Sequence, residues 1–216
     1  MAKELIITQD NLHLLQSLPP TLEVLYCNNK NFTTLPPLPS TLKELVCRNN
    51  NLISLPDLPS TLKELYCYGN NLTSLPPLPP TLETLICYNN SLSSLPPLPP
   101  TLKKLNCSSN NLTLLPDLPS TLKILDCSSN NLTTLPILPS TLKELLCFGN
   151  KLPKWCCTNI IQEIREKQRQ EKLLLVRKKI ATRIIQRVWT KYWYYPNEEG
   201  VSRYSSYMAH VDLSVE

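Results

Sequence analysis

TLKELVCRNNNLISLPDLPS, residues 41–60, decides the fold, because the chain repeats this pattern six times in succession. The block at 21–40 reads TLEVLYCNNKNFTTLPPLPS, and those at 61–80, 81–100, 101–120 and 121–140 follow without an insertion. A seventh opens at Thr141 and breaks down after Leu152. In front, Leu5, Ile7, Asp10, Leu12, Leu15 and Leu18 stand where Leu45, Cys47, Asn50, Leu52, Leu55 and Leu58 stand in the block at 41–60, so about eight rungs are expected. A fixed short period means a stacked array, since each unit is too small to bury its apolar residues alone and uses its neighbours' surface.

Alternation along a short strand sends Leu45 and Cys47 to one face, the core, and Glu44, Val46 and Arg48 to the other. Stacking at strand spacing predicts a parallel sheet roughly 35 to 40 Å long. In Leu55-Pro56-Asp57-Leu58-Pro59 the fixed φ and missing N–H groups favour polyproline-II geometry, which needs no ladder partners on the back of the coil. Asn50, Asn70, Asn90, Asn110, Asn130 and Asn150 recur where the chain turns inward, and an amide there can satisfy both backbone donors and acceptors. Lys30 interrupts this column and Asp10 replaces it in the first rung. Cys27, Cys47, Cys67, Cys87, Cys107, Cys127 and Cys147, seven of nine cysteines, form an apolar column of the same period. They read as reduced small hydrophobes, because same-face neighbours on parallel strands offer a poor disulfide torsion. Cys156 and Cys157, beside Trp155, read as cap residues.

The unit L-x-x-L-x-C-x-x-N-x-L-x-x-L-P-x-L-P resembles the leucine-rich repeat in its shortest form. That resemblance implies an α/β solenoid of short parallel strands with a polyproline-II or irregular back wall. The L-P-x-L-P half also resembles the repeats of bacterial secreted effectors, a group that includes leucine-rich-repeat ubiquitin ligases. The uniform repeats, the Asn-rich turns and the segment IIQRVWTKYWYYPN at 184–197 resemble leucine-rich-repeat proteins of giant viruses of amoebae. In the ligases a large separate helical domain carries the catalytic cysteine; here about 60 residues follow the repeats, with only Cys156 and Cys157 in them. No catalytic residue, metal site or cofactor is therefore expected, nor a Ser-His-Asp set or glycine-rich phosphate loop.

The formal charge of +5 divides unevenly: nine Lys/Arg against ten Asp/Glu in residues 1–150 leave −1, and thirteen against seven in residues 151–216 leave +6. Nucleic-acid binding by the near-neutral repeats is disfavoured, although Glu23, Lys43, Lys63, Glu83, Lys103, Lys123 and Lys143 form a mostly basic column. Its lysines neighbour Glu44, Glu64 and Glu144, as on a solvated charged edge. The start MAKELIITQD lacks the layout of a secretory signal and no stretch of about 18 apolar residues occurs. The expected compartment is the cytosol, that of an infected host cell if the viral resemblance holds.

Function in such a solenoid is expected on the outward strand residues, which a stacked sheet displays in columns. The candidate partner-binding residues are Tyr26, Val46, Arg48, Tyr66, Tyr68, Ile86 and Tyr88, an aromatic and apolar group with an arginine. Aromatic residues also suit strands by propensity alone. The fifth and sixth repeats carry small polar residues instead. The expected partner is a protein, from a host, with no small-molecule substrate.

After Trp155 the period stops. Asn159 with Gln162 resembles a capping box, and a helix of about 35 residues is expected before Pro196, with Ile160, Ile161 and Ile164 covering the solenoid end and Arg165 to Lys172 in solvent. Its second half is basic and amphipathic, and Ile180, Ile184, Val188, Trp189 and Trp193 are candidates for a second partner. Docking back or self-association is preferred to a calmodulin-type light chain, and that to an anionic membrane surface. Ile185-Gln186-Arg187 resembles the start of an IQ motif, from which Thr190 departs. The expected organisation is a partial capping repeat at 1–20, the solenoid at 21–153, cap and helix at 154–195, and a poorly ordered tail at 196–216. The functional expectation is a non-catalytic protein-interaction module. A recruiting subunit or an effector-like factor working with host ubiquitin machinery is the alternative.

Overall fold

A computed structural model describes residues 3–153 and 161–194, the latter with side chains at 165–166 and 168–183. It divides into two units, Met1–Arg165 and Glu166–Glu216. The first holds one parallel sheet of eight strands in sequence order: β1 Glu4–Ile6, β2 Val24–Tyr26, β3 Glu44–Val46, β4 Glu64–Tyr66, β5 Thr84–Ile86, β6 Lys104–Asn106, β7 Ile124–Asp126 and β8 Glu144–Leu146. Register advances by one repeat per strand, so Leu25 pairs with Leu45 and Leu45 with Leu65.

Each strand is only three residues long because pairing is confined to the stretch between two inward turns. The middle leucine of β2 to β7 and the cysteine after each of those strands are fully buried, as are Leu52, Leu72, Leu92, Leu112 and Leu132 on the returning arm. Along the proline-rich back wall a tight turn recurs among the described residues, as from Leu62 N–H to the Pro59 carbonyl. That is how segments lacking N–H donors avoid unsatisfied groups.

The asparagine column acts between rungs as well as within one. Asn110 Nδ2 lies 3.1 Å from the carbonyl oxygens of Cys87, Cys107 and Ser108, while its Oδ1 accepts the Leu92 N–H at 2.9 Å. Asn70, Asn90 and Asn130 repeat the pattern. At the irregular end the geometry is local. Asn11 Nδ2 donates to the Ile6 carbonyl and its Oδ1 accepts the Thr8 N–H, and a short 3-10 helix, Leu12–Gln16, follows.

Two further columns support the turns. The residue before each column asparagine takes a left-handed backbone, at Asn49, Gly69, Asn89, Ser109, Ser129 and Gly149, as does Asn29 before Lys30. From Thr41 onward the threonine opening a repeat bridges back to the preceding one: the Thr61 hydroxyl sits 2.7 and 2.8 Å from the Ser40 and Leu42 carbonyl oxygens and shares its proton between them. After the last such threonine, Thr141, the Arg165 guanidinium donates to the carbonyls of Pro139 and Leu142. Arg165 is thus half-buried rather than in solvent as expected for the segment it opens.

Helix α1, Ile161–Tyr194, matches the expected span closely. Within it Gln170 Nε2 donates to Glu166 Oε1 and Thr182 Oγ1 to the Lys178 carbonyl, one turn apart in each case. Asn159, Ile160, Cys156, Cys157, residues 196–216 and the side chains of Ile161, Gln162 and Ile164 lie outside the described residues.

Candidate functional site

The outward residues of β3, β4 and β5, with the residue that follows each buried cysteine, stand in register as three columns. One depression of about 420 Å³ collects Val46, Arg48, Tyr66, Tyr68, Ile86 and Tyr88, six of the seven candidate residues, and is completed by Glu44, Lys104 and Asn106. Tyr26 is not part of its lining. It sits one strand away, where its hydroxyl donates to Glu44 at 3.4 Å.

The columns differ in what they expose. Val46 and Ile86 are only 8% and 6% exposed, so these two point outward as expected yet form a floor rather than free surface. Alternation along a strand gives their direction but not this burial. In the same depression the Tyr68 and Tyr88 rings stack, with centroids 4.3 Å apart and planes 12° from parallel. Arg48 Nη1 donates to the Tyr68 hydroxyl, and its guanidinium carbon lies 5.6 Å from that ring's centroid. Tyr66 donates to Glu64 at 2.6 Å. Arg48, Tyr66, Tyr68 and Tyr88 thus each contact a neighbouring side chain without a partner, an arrangement that lowers the ordering cost of binding.

Electrostatics follow from the same crowding. Burial first, and then Glu64 beside it, raise the Glu44 carboxyl above the ordinary range. Burial and the hydrogen bond to Glu64 raise the Tyr66 phenol, and burial with the neighbouring Tyr68 raises Tyr88. Sequence reasoning passed over Glu44, Lys104 and Asn106 as members of this depression. The available signal was their position two residues from an aromatic or apolar column member, or within that column itself.

The other half of the face is built differently. Ser108 Oγ donates to Asn106 Oδ1 at 2.8 Å and Ser128 Oγ to Asp126 Oδ1 at 2.6 Å, so these polar groups satisfy one another. Beyond them Leu146 and Phe148 are exposed. Along the rim Glu23 binds Lys43 at 2.6 Å and Lys3 at 2.9 Å. Those two hydrogen bonds, Lys43's first, lower the Glu23 carboxyl to about 2. Lys103 pairs with Glu83 at 2.6 Å. The edge is charged and solvated, as the sequence suggested, but its Lys43 and Lys103 pair with Glu23 and Glu83 of their own column, while the Glu44 and Glu64 expected beside them bind Tyr26 and Tyr66.

The seven column cysteines are buried in the core, and Cys27, Cys47, Cys67, Cys87, Cys107 and Cys127 are free thiols. Burial pushes Cys27 up to about 12 and raises Cys47, Cys67, Cys87 and Cys107 further, so each stays a neutral thiol and a poor nucleophile. Among the described residues no group of three or more His, Cys, Asp or Glu side chains converges on a metal-sized site. Of the second candidate set, Ile180 is half exposed. Ile184, Val188, Trp189 and Trp193 lie in α1, but their side chains fall outside the described residues.

With this geometry in hand, likenesses to known proteins can be placed. The family described as Leucine Rich Repeat matches residues 101–122 and 121–145. The chain is similar to YopM from Yersinia enterocolitica, at 36% identity and a TM-score of 0.57 over 64% of this chain and 36% of that one. It is similar to YopM from Yersinia pestis, described as a leucine-rich effector protein, at 35% identity and a TM-score of 0.65 over 75% of this chain and 46% of that one. A Shigella effector leucine-rich-repeat domain matches at 34% identity and a TM-score of 0.65, over 71% of each chain. The chain thus spans less than half the length of either YopM chain. No curated protein matches the sequence.

Proposed function

The chain belongs to the leucine-rich-repeat family, and from that premise we propose that it binds a protein partner on the outward face of β3 to β5 without catalysing a reaction. Leucine-rich-repeat domains typically serve as protein–protein interaction modules, because stacking makes one rigid surface out of many short strands. The observation that carries the reading is the Tyr68–Tyr88 stack, braced by Arg48 and sharing one depression with the buried Val46 and Ile86. Tyrosine and arginine beside a desolvated base are the composition of binding hot spots. The polar half argues for the same choice by contrast. There Ser108 is bonded to Asn106 and Ser128 to Asp126, so that half offers small polar groups already satisfied by one another in place of aromatic surface.

Likeness to two effector proteins supports a host protein as the partner. The test is retention of proteins from a candidate host lysate by the intact chain and by a chain carrying Tyr66→Ala, Tyr68→Ala and Tyr88→Ala. A specific protein held by the first and lost by the second supports the assignment. A protein held equally by both removes the site from this face.

A further inference from the structure

Helix α1 carries a feature that the solenoid face does not use. From Lys172 to Arg183 there are five cations, Lys172, Arg177, Lys178, Lys179 and Arg183, and no acid. In the same stretch Leu173, Leu174, Leu175, Val176 and Ile180 leave between 45% and 55% of their surface exposed. At 3.6 residues per turn, Leu173, Val176 and Ile180 fall at i, i+3 and i+7 and form one narrow seam. Arg177 borders the seam on one side; Lys172, Lys179 and Arg183 border it on the other.

We infer that α1 lies flat on an anionic lipid surface, with Leu173, Val176 and Ile180 sunk among the acyl chains and the bordering cations at the headgroups. Long cationic side chains can keep their heads at the polar boundary while their stems follow the seam inward, and a plane of negative charge meets both borders at once. A second copy of the helix is a poor match, since an acid-free run of five cations would face its own kind. Nucleic acid would satisfy the cations but leave the aliphatic seam in water. No described helix is long and apolar enough to cross a membrane, so the contact is with one surface. The helix also runs in sequence into Trp189, Tyr192, Trp193 and Tyr194, residue types that settle at headgroup level. Leu174 and Leu175 lie on the opposite half with Lys178 and take no part in the seam.

The test is sedimentation of the full chain with vesicles of mixed phosphatidylserine and phosphatidylcholine, against vesicles of phosphatidylcholine alone. Binding is expected to the mixed vesicles only, with release by raised salt. Arg177→Gln with Lys179→Gln should weaken the partition about 25-fold, roughly fivefold for each cation. Leu173→Gln with Ile180→Gln should abolish it, whereas Leu174→Gln with Leu175→Gln should change it less than about threefold. Far-UV circular dichroism confirms that each variant keeps its helix. Equal binding to both vesicle types, equal effects of seam and off-seam variants, or capture by an acidic light chain with no vesicle binding would each overturn the inference.

Discussion

Replacing Asn110 with alanine removes a side chain that is 7% exposed and serves two rungs at once. Its Oδ1 is the acceptor for the Leu92 N–H, and its Nδ2 faces the Cys87 and Cys107 carbonyls. Alanine leaves the buried Leu92 N–H without an acceptor, while the Cys87 and Cys107 carbonyls each lose one of two asparagine donors and keep the other, from Asn90 and Asn130. At about 1–3 kcal/mol for the one buried group left unsatisfied, and about 0.5 kcal/mol for each carbonyl that keeps a second donor, the loss should be about 2–4 kcal/mol. For a unit of this size that lowers the melting temperature by on the order of 10 °C. Urea unfolding followed by circular dichroism reads the loss, with Asn111→Ala as control because that neighbouring asparagine is exposed. The control should stay within about 0.5 kcal/mol of the parent. Asn110→Asp adds a check on mechanism: it keeps the acceptor for Leu92 but turns a carboxylate toward carbonyl oxygens. It should be more destabilising at neutral pH than at a pH low enough to protonate it. An Asn110→Ala loss below about 1 kcal/mol, or one equal to the control, would refute the ladder as a source of stability.

Other parts of the fold are open to similar tests. Glu23 should titrate at about 2 by carboxyl NMR, and Lys43→Gln should raise that value. Because its folded value is depressed, its contribution is present above the ordinary carboxylate range and is lost as pH falls toward 2; an ordinary midpoint would contradict the rim pairing. Glu44 should titrate above the ordinary range in the same experiment, since burial opposes its charged form. Peptide-resolved labelling with a thiol reagent should leave Cys47, Cys67, Cys87 and Cys107 unmodified until denaturant is added, and rapid native labelling would contradict their burial. Gly69→Ala should cost about 1–2 kcal/mol, because φ is +65° and the added Cβ would sit 2.3 Å from Asn49 Oδ1. An unchanged melting temperature would contradict that turn.

Much of this architecture was legible because each slot of the repeat has one physical role and recurs in register. Leu45 and Cys47 had to face inward together, and a buried asparagine at Asn50 had to answer both kinds of backbone group. What escaped were relations that exist only once rungs are stacked. The Thr61 hydroxyl meets carbonyls 19 and 21 residues back, a separation that means nothing along an extended chain. The left-handed column was hidden because asparagine, glycine and serine share it, at Asn49, Gly69 and Ser109. In the first rung Asp10 occupied the expected slot, yet Asn11 makes the bonds, since the chain there turns into a 3-10 helix. The outward direction of Val46 and Ile86 was legible in the alternation, and their burial was not. Arg165 was read as solvated from the polar run around it; its carbonyl partners at Pro139 and Leu142 are more than twenty residues away.

The central claim is that the braced tyrosines of β3 to β5 form the recognition surface. Its most direct test is a binding isotherm of the captured partner against the intact chain, the Tyr66→Ala, Tyr68→Ala, Tyr88→Ala variant and a Leu146→Ala, Phe148→Ala variant from the far end of the same face. Loss of at least about 2 kcal/mol, a weakening of more than thirtyfold, is expected for the tyrosine variant alone. Equal dissociation constants for the intact and tyrosine-substituted chains, or a loss confined to the Leu146 and Phe148 variant, would contradict it.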